Sequence, residues 1–237
     1  MANESPTVSN SPREESSRTP VRALRDPITI VVLVSTAMLL IVYYHGHDIT
    51  FIPKWAQQAR LNWFGLNFVC LFIAPVLLGR YLLRLPLRDL GFRIGDLRVQ
   101  MKYFLFFGAV TIPAILLASR FGAFQAYYGR YMWARENIPL LIVFQLGWGV
   151  YFFAWEFFFR GFLLEVLGRR FGATAIALQT MPFVMMHFGK PELESIASII
   201  AGVALGIWSW RTRSFIGPWL LHWICSATMI HAVLFWQ

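Results

Sequence analysis

Beyond residue 27 the chain alternates between long apolar runs and short polar clusters in which most of its Lys and Arg residues lie. Runs of about 17 or more apolar residues suit hydrocarbon, and there an open strand edge or bare loop would leave costly unpaired backbone groups. The runs therefore predict helices, at Ile28–Tyr44, Asn62–Leu83, Lys102–Ser119, Pro139–Gly168, Ala173–His187, Glu194–Trp210 and Ile216–Trp236. The resulting fold class is all-α: a polytopic transmembrane helix bundle of about seven spans. Pro75 and Pro113 fall inside spans, where neighbouring helices can satisfy the freed carbonyls.

Residues 1–27 are rich in Ser, Pro, Arg and Glu and nearly free of aromatics, which predicts a disordered tail. No small-residue cleavage pattern follows the first apolar run, so that run reads as a retained anchor. The chain then divides into a first block of three helices, 28–138, and a second of four, 139–236.

Composition agrees with lipid as the solvent: 57% of residues are apolar and 14% charged, against roughly a quarter charged in soluble domains. The net charge of +9 does not point to nucleic acid, because the basic residues sit between the runs. Counted in alternate segments they fall 14 against 6, which places the N-terminus in the cytoplasm and, with seven spans, the C-terminus outside. The expected location is a multi-pass position in the bacterial cytoplasmic membrane. Cys70 and Cys225 lack metal-ligand or redox spacing and read as packing residues.

Two runs have unusual lengths. The fourth, about 30 residues, exceeds what a bilayer needs, while the fifth, about 15 residues, is too short to cross alone. The turn His187-Phe188-Gly189-Lys190-Pro191 is therefore expected below the outer surface, lining a watery cavity.

Ionisable residues inside spans are costly and warrant a functional hypothesis. Glu156 and Arg160 are four apart and share a helical face, as an ion pair with or without further purpose. His187 ends the fifth run and His222 lies near the start of the seventh. Two imidazoles and a carboxylate from three helices could hold a metal with an open position or act on a water as bases. Counted from the cytoplasmic helix ends, Glu156 and His187 lie about 18 and 21 Å in, but His222 only about 9 Å. Tilt or a deeper start of the seventh span has to close that gap. His231 faces away from His222, and His45 and His47 fall in an outer loop without an assigned role.

In sequence order, Trp155-Glu156-x-x-x-Arg160, Phe183-x-x-x-His187 and His222-x-x-x-Ser226 resemble the motifs of the CPBP family of intramembrane proteases (CAAX protease and bacteriocin-processing, or ABI, family). The family pattern is Glu-Glu-x-x-x-Arg, Phe-x-x-x-His and His-x-x-x-Asn on successive helices. Two positions depart from it: Trp155 replaces the first Glu, the proposed activator of water, and Ser226 replaces Asn. Three outcomes stay open. Glu156 takes the base role, Glu194 from the next helix is recruited beside His187, or hydrolysis has been lost. Glu194 is otherwise an acidic residue in a helix's first turn.

The resemblance implies an intramembrane endopeptidase in which His187 and His222 bind or activate water and Glu156 orients or deprotonates it. Arg160 would hold Glu156 ionised, and Ser226 could donate a hydrogen bond to an oxyanion. Glu156, His187 and His222 are the candidate ligands of a divalent metal, with zinc suited to the ligand types. A metal-free glutamate mechanism fits them too. The implied partners are the bilayer and a peptide or prenylated CAAX-type protein. The alternatives are an inactive family member serving as a membrane binding or scaffold protein, motivated by Trp155, and a transporter using the same polar groups as a pathway.

Overall fold

The computed structural model describes residues 24–45, 53–58 and 60–235; the tail at 1–23, most of the loop around His47 and the end of the last run lie outside the described residues. Helix α1 spans Pro27–His45 and α2 Lys54–Gln58. Helix α3 (Leu61–Leu82) contains two π-helical stretches, Val69–Ile73 and Leu78–Leu82, on either side of Pro75, whose missing N–H interrupts the regular ladder. Helix α4 (Leu97–Ala118) starts at Asp96, whose carboxylate accepts from the backbone N–H groups of Arg98 and Val99. Then come the short α5 (Gly122–Tyr128) and a 3₁₀ segment, Gly129–Arg135.

Helix α6 (138–171) is the centre of the bundle. Asn137 caps its first turn, and a π-helical stretch, Phe157–Leu163, begins directly after Glu156. From Tyr151 to Leu167 every residue except Phe153 is buried. Gly172, with φ of 55°, reverses the chain into α7 (Ala175–Met185), which packs back along α6. Helix α8 (Glu192–Thr212) pairs with α7, and α9 (Ile216–Phe235) lies against α4 and α6.

Six stretches of the described residues are long and apolar enough to cross a membrane, and the fourth, Ile138–Met185, holds both α6 and α7. The seven runs thus correspond to six stretches, the fourth of which includes α7, whose 11 residues reach only about 16 Å. All the described residues outside turns and connections are helical, with no strand among them. The chain is an all-α polytopic membrane bundle.

Small residues allow close packing at α6. A Cβ on Gly161 would lie 2.6 Å from the Leu90 carbonyl oxygen and 2.9 Å from the Phe157 ring. The 83–96 connection therefore presses backbone to backbone against α6. Nearby, Asp89 accepts from Arg93 at 3.0 Å and from Arg169 at 3.1 Å, and Arg213 pairs with Glu165 at 2.7 Å. Burial pushes the Asp89 carboxyl up, but the two arginine hydrogen bonds prevail and hold it below its usual value. These basic residues all belong to the larger of the two charge sets counted from the sequence.

Candidate active site

Glu156 is fully buried on α6, and one turn later the buried Arg160 places Nε 3.2 Å from its Oε2 and Nη1 3.4 Å from its Oε1. The i, i+4 spacing read from the sequence is thus a real ion pair. The Arg160 guanidinium also lies over the Phe183 ring, 4.0 Å from its centre, a cation–π contact strengthened where water is excluded.

From α9, His222 brings Nδ1 within 2.6 Å of Glu156 Oε1. A carboxylate oxygen paired with Arg160 accepts, so Nδ1 carries the proton and Nε2 of the neutral ring keeps its lone pair. The depth mismatch expected from sequence is closed by a deep start to α9. Phe215, just before the helix, is fully buried with its ring centre 5.5 Å from that of Phe157, the residue after Glu156.

His187 lies in the turn two residues after the short α7, and its Nδ1 donates to the Phe183 carbonyl at 2.7 Å, again leaving Nε2 as the lone-pair atom. Phe183 is the common floor of the site: its ring centre is 4.6 Å from that of His187, 6.2 Å from His222 and 5.9 Å from Trp155. The Phe-x-x-x-His spacing therefore has a physical content. Phe183 orients one histidine through its backbone and supports both histidines and the arginine with its ring.

Trp155, in the place of the family's first Glu, is almost fully buried with its ring centre 6.0 Å from that of His187, and its indole N–H has no hydrogen-bond partner. Ser226 lies one turn beyond His222 on α9, half-buried and with no hydrogen bond among the described residues.

Two observations bear on readings that the sequence leaves open. Glu194 does not join His187: it pairs with Lys190 Nζ at 2.7 Å and accepts from the Tyr128 hydroxyl at 3.0 and 2.9 Å, so both carboxylate oxygens are engaged. The neighbouring Ser195 instead donates to the His187 carbonyl at 2.8 Å. The second concerns a metal. Among the described residues no three His, Cys, Asp or Glu side chains converge as a metal-binding group, whereas a catalytic zinc site uses three protein ligands. Glu156, His187 and His222 do not assemble as that set, because Glu156 faces the Nδ1–H of His222 and Arg160.

Tyr128 and Lys190 were not singled out by sequence, and Tyr128 lies 66 positions from its partner Glu194. No periodic signal could have joined them. His231 points its Nδ1 at the Ala227 carbonyl, 2.7 Å away. It lines an apolar groove of about 450 Å³ between α4 and α9 with Leu116, Ile224 and Thr228, on the side of α9 turned away from His222. Cys70 and Cys225 are free thiols, the latter 3.4 Å from the Thr111 hydroxyl.

A buried acid, its paired cation and two imidazoles, brought by three membrane helices, form one polar centre inside the bundle. Residues 138–228 match the model of the Rce1-like family, type II CAAX prenyl endopeptidase Rce1-like. The resemblance to the CAAX protease family read from the motifs is borne out over that segment, which contains every residue of the candidate site except Tyr128. No curated protein and no solved structure matches the chain.

Proposed function

We propose that the chain is an intramembrane endopeptidase acting on membrane-tethered peptides of the prenylated CAAX type, with Glu156 and His222 working as a dyad. The observation that carries this reading is the 2.6 Å contact between Glu156 Oε1 and His222 Nδ1. A carboxylate on one imidazole nitrogen fixes the tautomer and stabilises the imidazolium that forms when the other nitrogen takes a proton. His222 Nε2 takes a proton from water as the water oxygen bonds to the scissile carbonyl carbon. The proton then passes to the leaving amine nitrogen as the C–N bond breaks, giving a carboxylic acid and an amine. Arg160 pairs with Glu156, and His187, held by Phe183, offers a second lone pair to position the water. Ser226 and the Trp155 N–H are unpaired donors available to the oxyanion.

One observation favours a second reading, a binding or scaffold protein that keeps the fold without turnover: an indole occupies the place of the first Glu beside His187. Purified protein in nanodiscs, incubated with a farnesylated CAAX peptide and followed by mass spectrometry, separates the two. Hydrolysis that falls by about 100-fold or more in His222→Ala, the usual scale for a general base, supports the dyad. Binding of the peptide by wild type with no product, or equal product from His222→Ala, refutes it in favour of the scaffold.

A further inference from the structure

Helix α6 carries a row of polar side-chain atoms that are buried and have no hydrogen-bond partner: both amide atoms of Gln145, the indole N–H of Trp148 and the indole N–H of Trp155. Their spacing of three and seven residues puts them on one stripe of the helix, with Phe152 between the two indoles. The stripe leads to the site. The Trp148 ring stacks on Phe152 at 5.3 Å between centres, Phe152 lies 4.2 Å from the His222 ring, and Trp155 lies beside His187.

A bundle held together only by packing gains nothing from such a row, because buried donors and acceptors without partners oppose folding. Apolar residues of similar shape would serve stability better. The geometry points to a binding track for an extended peptide backbone along α6, ending at the Glu156–His222 dyad. The primary amide of Gln145 offers one donor and one acceptor, the complement of a peptide unit, and the two indole N–H groups suit carbonyl oxygens. From 145 to 155 the helix rises about 15 Å, which matches four to five residues of extended chain. Charge selects among ligands as well. The stripe itself holds only neutral groups, an amide and two indoles, and fits an uncharged backbone better than a phosphate. The track deepens the peptidase reading and rests on it for where the peptide ends, but it requires binding and not turnover.

The test is fluorescence anisotropy of a fluorescein-labelled, farnesylated ten-residue CAAX peptide with the full chain in nanodiscs. Gln145→Leu and Trp148→Phe each weaken binding about fivefold or more. Their melting temperatures are equal to that of wild type or higher, which a merely structural role for these groups would not give. The same peptide N-methylated at alternate backbone amides binds wild type correspondingly weakly. His222→Ala loses cleavage. Wild-type affinity in both stripe variants, or no binding to wild type, overturns the track. Stripe-dependent binding by a wild-type protein that never cleaves would sink the hydrolytic reading and leave the track standing.

Discussion

The indole of Trp155 stands beside the imidazole of His187, ring centres 6.0 Å apart and planes 77° to each other, with its N–H buried and unpaired. The position one residue before Glu156 therefore faces the second histidine, so an acid there would sit against His187 and a tryptophan puts a donor in its place. In the proposed reaction, activation of water falls to His222, whose ring is 2.6 Å from Glu156.

Trp155→Phe keeps the aromatic packing and removes only the donor. If the N–H serves the oxyanion, kcat for peptide hydrolysis falls by about 100-fold while KM and melting temperature stay close to wild type. An unchanged kcat would show the indole to be a filler.

Removing one member of the buried Glu156–Arg160 pair leaves the other uncompensated. Arg160→Met is expected to destabilise the fold by about 3–5 kcal/mol, seen as a large drop in melting temperature. Adding Glu156→Gln to it should recover much of that loss, because no net charge then remains buried. The double variant should stay inactive, since His222 loses its carboxylate. Equal stability of Arg160→Met and the double variant would contradict the pairing.

The Glu156–Arg160 pair was legible because helical spacing alone puts i and i+4 side by side, and the short fifth run matches the 11 residues of α7. The meeting of Glu156 with His222 was not legible from depth. Hydropathy placed the start of α9 near a membrane surface, whereas Ser214 and Phe215 are buried inside the bundle. The short connection between α8 and α9 carries no periodic signal. The partner of Glu194 was not legible for a related reason: Tyr128 comes from a short helix outside the full-length spans, and only tertiary packing brings them together.

Gly161 follows the motif arginine because two backbones meet there. Its missing Cβ leaves room for the Leu90 carbonyl, 2.6 Å from where that atom would stand. Gly161→Ala should cost about 1–3 kcal/mol, because the obstacle is backbone and not the end of a flexible side chain. Thermal unfolding in nanodiscs gives the shift. A melting temperature within a degree of wild type would mean that the 83–96 connection yields freely.

The Tyr128–Glu194 contact, with Glu194 paired to Lys190, ties the segment after α4 to the turn that bears His187. Burial first, and the Glu194 carboxylate second, raise the Tyr128 phenol well above its ordinary value of 10.0. A group that holds its proton more tightly when folded contributes stability that is complete below its unfolded pKa and is lost as pH climbs through the folded one. Wild type should therefore exceed Tyr128→Phe by about 1.5–3 kcal/mol up to pH near 10, the scale of a hydrogen bond to a charged group, with the gap closing above that. Hydrogen exchange of residues 122–135 should quicken in the variant at neutral pH, while the amides of α8 beyond its first turns stay protected. A stability gap that ignores pH between 8 and 12, or exchange in 122–135 that matches wild type, would show that this tie does not hold the segment in place.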